Sequence, residues 1–171
     1  AIFDKILRAV EVDDGDTANL ALSTAKLYEE RLQDLDRSGY FYQRALTYDP
    51  SNKEAGRSLA SVYARSGKWE ALLELNRERA SFADADDERV AILHDIARIE
   101  VDELAAPESG ITTYRRILEI SAVNAEAVSR LDQLLEGAER WEELAAHIEL
   151  QIDNASDARA GRALRQRLGA L

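Results

Sequence analysis

The side chains able to do chemistry are few, and their spacing says which chemistry is open to them. His94 and His147 are the only histidines, and neither has a second histidine three or four positions away along a helix. A zinc pair carried on one helix needs that spacing, so none is visible. Cysteine is absent, which excludes disulfides and thiolate metal sites. Serines are plentiful, but there is no G-x-S-x-G turn to expose a nucleophile and no glycine-rich loop to cradle a phosphate. The pairs Glu29-Glu30, Asp86-Asp87 and Glu142-Glu143 have the composition of acid–base couples. On helices and links such pairs confer solubility, and near a helix N-terminus they complement its dipole. No catalytic residue, cofactor or metal ligand is expected, and the chain does not read as an enzyme.

What remains is charge on helix surfaces. The chain carries 33 acidic and 22 basic residues, a net charge of −11. That balance repels phosphate backbones, so nucleic acid is not an expected partner. No apolar run reaches the ~18–20 residues of a membrane helix, so membrane insertion is not expected. The compartment stays open, with the cytoplasm slightly favoured. Hydrophobic residues make up 46% and aromatics only 6%, with Ala and Leu dominating, which favours closely packed helices over a β core.

The elements that position these residues repeat. A shift of 72 aligns Ala25 with Ala97, Tyr42 with Tyr114, Leu46 with Leu118, Asn52 with Asn124, Leu59 with Leu131 and Trp69-Glu70 with Trp141-Glu142, in one register without a gap. Within each block Ala25 and Tyr28 recur 35 residues on as Ala60 and Tyr63. The elementary unit is therefore about 34–37 residues of helix, turn and helix, the period of helical solenoids. Residues 51–80 show it best. Leu59, Ala60, Val62 and Tyr63 form one apolar face, Ser66-Gly67 ends the helix, and Trp69, Leu72, Leu73 and Leu75 restart the stripe. Further helices are predicted over 17–32, 36–48, 90–104, from Pro107, over 125–137 and 140–152, and from Asp157. Asp13-Asp14-Gly15-Asp16 is predicted as a connection, and 1–13 as the end of a second-type helix. Trp69 and Trp141, matched in the period, read as core.

These residues resemble the tetratricopeptide repeat family. Leu59-Ala60, Tyr63 and Gly67 match its first helix and turn, and Tyr42, Ala45 and Pro50 match its second helix and the stop that follows. The sequence departs from the pattern at Glu100, which replaces a tyrosine, at Ala122, which replaces a proline, and at Arg79, which fills a small-residue position. The variant found in RNA-processing scaffolds is the second candidate, but its tryptophan-rich first helix is absent. The resemblance implies an all-α solenoid of antiparallel helix pairs wound into a right-handed superhelix. Residues 1–171 read as a single array with units near 17–50, 53–86, 89–122 and 125–158 and partial units at 1–13 and 157–171. The chain thus reads as a piece of a longer solenoid, whose terminal repeats would favour self-association.

The resemblance also implies a concave groove lined by the first helices. Lys26, Arg57, Ser61, Arg65, His94, Arg98 and Gln133 fall on that face and are the expected partner-binding residues. The expected function is a scaffold holding a peptide or helix of another protein, with a preference for acidic or mixed-charge ligands. The alternative is a regulatory or substrate-docking segment of a larger enzyme.

Overall fold

The computed structural model describes residues 14–155 and 157–171, so the helix expected over 1–13 lies outside the described residues. The helices are α1 (Asp14–Glu30), α2 (Leu35–Tyr48), α3 (Lys53–Arg65), α4 (Trp69–Ser81), α5 (Asp86–Arg98), α6 (Pro107–Ile120), α7 (Ala125–Gly137), α8 (Trp141–Asp153) and α9 (Ala158–Leu168). No strand occurs among the described residues. The repeat survives in three dimensions: α1 and α5 start at 14 and 86, α2 and α6 at 35 and 107, α3 and α7 at 53 and 125, α4 and α8 at 69 and 141. Two compact units divide between Ala83 and Asp84, the first holding α1–α4 and the second α5–α9.

The ends of the helices follow from local chemistry. Asn52 and Asn124 cap α3 and α7, each accepting the backbone N–H three residues on at 3.0 Å. Pro107 opens α6, where its missing N–H is not needed. α2 stops before Pro50 as expected, but the second copy makes the same stop without a proline. Asp49 (φ −137°, ψ 86°) and its counterpart Ser121 (φ −138°, ψ 85°) end their helices in the same conformation, although Ala122 stands where Pro50 does. In both copies an asparagine cap of the next helix follows the stop. Of the stretch expected as a connection, Asp13 lies outside the described residues and 14–16 instead form the first turn of α1, where Asp16 suits the positive end of the dipole. The helix predicted over 90–104 starts earlier, at Asp86, and runs past Arg98 into a π-type turn, Ile99–Glu103.

Among the described residues, the left-handed ones also form two pairs in the period: Gln33 and Ala105 (both φ 50°), and Gly67 (φ 63°) and Glu139 (φ 55°). Lys68 N–H bonds the Tyr63 carbonyl at 2.9 Å, and Arg140 N–H bonds that of Leu135 at the same distance. Both are the long-range bond of a Schellman cap, which needs a left-handed residue. Glycine supplies it freely in the first unit; glutamate pays a steric penalty in the second. Glu139→Gly is expected to stabilise the second unit by about 0.5–1 kcal/mol, the relief of the left-handed side chain less glycine's extra unfolded-state entropy. Thermal denaturation should show a rise in Tm, and the reciprocal Gly67→Glu a fall; a drop for Glu139→Gly would refute the assignment.

Each unit has its own core. In the first, Ala21, Ala25, Tyr28, Phe41, Tyr42, Ala45, Leu59 and Val62 are buried together, the alanines letting α1 approach α2 closely. Leu27 is 38% exposed, because the buried stripe runs through Ala18, Ala21, Ala25 and Tyr28 and Leu27 lies one residue off it. In the second unit Leu93, Ile96, Ile99, Ile111, Ile117, Leu131, Leu144 and Ile148 fill the equivalent space. The tryptophans are not core. Trp141 is 46% exposed and Trp69 half-buried, since each is the first residue of its helix, immediately past the tight turn.

The departures from the family pattern have local causes. Tyr28 stacks on Phe41 with ring centroids 5.4 Å apart. At the matched positions of the second unit, Thr113 Oγ1 donates to the buried Glu100 carboxylate at 2.7 Å. A stacked aromatic pair has become a hydrogen-bonded polar pair, both members changing together. Arg79 fits at a small-residue position because it faces Gly56. A Cβ there would come within 3.3 Å of Arg79 Cδ.

Candidate partner-binding surface

The seven residues expected to line the groove divide between the units, and each set is described within its own. In the first unit, Lys26 on α1 and Arg57, Ser61 and Arg65 on α3 share the first-helix face. Lys26 pairs with Glu54 at 2.6 Å and Arg65 with Glu29 at 2.7 Å. Both pairs join α1 to α3, so two of the expected cations already have carboxylate partners. Arg57 and Ser61 are exposed on α3. Glu29 is the node of this face, for its other oxygen accepts the Tyr42 hydroxyl at 2.8 Å. Burial, followed by that hydrogen bond to an anion, pushes the Tyr42 phenol up to about 12. The face therefore presents charges of both signs, held in register by a buried tyrosine.

The second unit treats the same positions differently. Val101 and Gly137 replace Glu29 and Arg65, so the second cross-link is lost. Arg98, the counterpart of Lys26, turns to Asp95 on its own helix at 3.5 Å and stays largely exposed. Gln133, the counterpart of Ser61, is exposed on α7. His94 links α5 to α7 and α6. Its Nε2 lies 3.2 Å from Asn124 Oδ1, the oxygen that caps α7, and its ring meets Tyr114 edge-on. Among the described residues no cluster of three or more His, Cys, Asp or Glu side chains could hold a metal, and no helix is long and apolar enough to cross a membrane.

Two features escape a residue-by-residue reading. The first is a cavity formed in each unit where two second helices flank a first helix. In the first unit it measures about 700 Å³ and lies between α2 and α4 over Leu59 and Tyr63 of α3. In the second it measures about 380 Å³ and lies between α6 and α8 over Leu131 of α7. Every residue lining the smaller cavity is 72 positions after one lining the larger. The second feature is the Asp132 carboxylate, buried on α7. Gln151 donates to it at 3.0 Å, Arg167 of α9 pairs with it, and His147 Nε2 lies 3.5 Å away. Burial lowers the His147 pKa, against the opposing pull of Asp132. Alignment of the two blocks carried the signal for this cluster, since Asp132 and His147 fall on Ala60 and Leu75.

No family model matches the sequence, and no curated protein matches it. Solved structures do. YrrB, described as a tetratricopeptide repeat protein with an unusual peptide-binding site, aligns at a TM-score of 0.54 and 17% identity over 90% of this chain and 74% of its own. A tetratricopeptide repeat protein from Parabacteroides merdae aligns at 0.59 and 17% identity, covering 91% of this chain and 61% of that one. PilF from Pseudomonas aeruginosa aligns at 0.54 and 14% identity over 96% and 72%. At these identities the likeness concerns backbone architecture, and it agrees with the repeated hairpins, the caps and the left-handed turns. The chain has an all-α fold of tetratricopeptide repeat type.

Proposed function

We propose that the protein is an interaction scaffold that holds a peptide or helix of a partner protein against its first-helix faces. The observation that carries this reading is the division of labour along α3 and α7. Leu59, Val62, Leu131 and Leu135 are spent on the core, while Arg57, Ser61 and Gln133 stand exposed on another side of the same helices. The fold similarity to YrrB, described as having a peptide-binding site, supports it. The ion pairs Lys26–Glu54 and Arg65–Glu29 favour mixed-charge ligands in the first unit, and the exposed Arg98 favours acidic ones in the second.

A peptide array probed with wild type beside the Arg57→Glu, Arg98→Glu double variant tests the reading. Acidic and mixed-charge peptides should bind the variant roughly tenfold or more weakly, the equivalent of about 1.4 kcal/mol, and wild-type binding should weaken with salt. Binding unchanged by the reversal and indifferent to salt would place the site elsewhere.

A further inference from the structure

We propose that the larger cavity, between α2 and α4 of the first unit, is a second docking site, and that it takes an amphipathic helix of a partner protein bearing Lys or Arg beside its apolar face. The site is distinct from the first-helix face. Leu59 and Tyr63 of α3 floor it, whereas Arg57 and Ser61 point from the other side of that helix. Leu46 completes the apolar floor and Phe82, 49% exposed, forms one edge. A space of about 700 Å³ with an apolar floor suits the anchoring side chains of a short helix.

The charge of the occupant follows from the comparison of the two cavities. Glu74 and Glu78, one turn apart on α4, wall the larger one; Glu74 makes a long, exposed pair with Arg77 of the same helix at 3.7 Å, and the lining itself contains no Lys or Arg. At the matched positions of the smaller cavity stand Ala146 and Leu150; its acids, Glu119 and Glu143, stand at other positions, and Glu143 pairs with Arg115. The three-helix packing that creates the cavity therefore does not require acids at these two positions. Two carboxylates beside an apolar floor attract a cationic amphipathic segment and repel an acidic one.

The test transplants the second unit's residues into the first. A display library of helical peptides is selected on wild type and on the Glu74→Ala, Glu78→Leu variant, with circular dichroism confirming that the variant folds. Wild type should enrich peptides with two apolar residues three or four apart and a flanking Lys or Arg. Those peptides should bind the variant at least tenfold more weakly, and Phe82→Ala should weaken them as well. Peptides lost on the Arg57→Glu, Arg98→Glu variant instead belong to the first-helix face, so each reading fails or stands separately. Enrichment without basic residues, or equal binding to wild type and the Glu74→Ala, Glu78→Leu variant, would overturn the proposal. Dimerisation abolished by Phe82→Ala, with no peptide enriched, would also overturn it by making a second copy the occupant.

Discussion

Tyr42→Ala should unfold the first unit at a denaturant concentration well below wild type, with a loss of about 3–5 kcal/mol. Tyr42 is 1% exposed and among the largest fully buried side chains, so its removal leaves a ring-sized hole that rigid helices cannot fill. The hydroxyl adds a second cost, because Glu29 loses a donor that helps to anchor it toward Arg65. A domain is stable by only about 5–15 kcal/mol in total, so this change consumes much of the margin. Tyr42→Phe separates the two terms. It keeps the packing and deletes one hydrogen bond, for an expected loss of about 1 kcal/mol. Trp69 and Trp141 lie in different units, so Trp69 fluorescence in a Trp141→Phe background follows the first unit alone. Equal losses for Tyr42→Phe and Tyr42→Ala would show that the hydrogen bond, rather than the ring, holds this core.

Asp132→Ala should loosen the other end of the second unit by about 2–3 kcal/mol. Breaking a fully buried ion pair costs about 3–5 kcal/mol. The figure is lower here because the Arg167 side chain is 37% exposed and can turn into water once its partner is gone. His147 and Gln151 cannot do so as easily, and amide exchange along α9 should quicken. A change confined to α7 would mean that Arg167 does not tether α9. The same cluster gives a pH dependence. The folded pKa of His147 is held below its ordinary 6.5 by burial, so the unfolded chain takes up the proton first. Stability from this group is complete above 6.5 and declines as the pH falls through the folded value. Asp132 draws the proton toward the ring, while Arg115 and Arg167 oppose it. His147→Gln should flatten that decline.

The architecture was legible because it is written twice. Ala25 and Ala97, Asn52 and Asn124, and Leu59 and Leu131 recur because each solves the same packing or capping problem, and such positions predict helices and turns correctly. Single-copy interactions were harder to read. That Glu29 serves both Arg65 and Tyr42 depends on helices 13 and 36 residues apart in sequence. The expected strip of cations was legible as positions but not as charge, because Glu54 and Glu29 reach Lys26 and Arg65 only once α1 and α3 are packed. The tryptophans misled for a related reason. Recurrence marks a residue as structural without saying that it is buried, and position one of a helix is seldom enclosed. The cavities went unseen because they are spaces between elements, and their likeness emerges only when two linings are compared.

A duplicated sequence carries a hazard during folding, since each first helix can meet either of two similar second helices. The Tyr28–Phe41 stack and its replacement by Glu100–Thr113 act as a sorting code against that error. A hairpin of α5 with α2 would press Glu100 against the face of Phe41, stranding a carboxylate without its hydroxyl donor at a cost of several kcal/mol. The converse hairpin, α1 with α6, would set Tyr28 over the small polar Thr113 and lose the stack. Each mismatch forfeits a native contact, so one pair of side chains in each half works against the exchange.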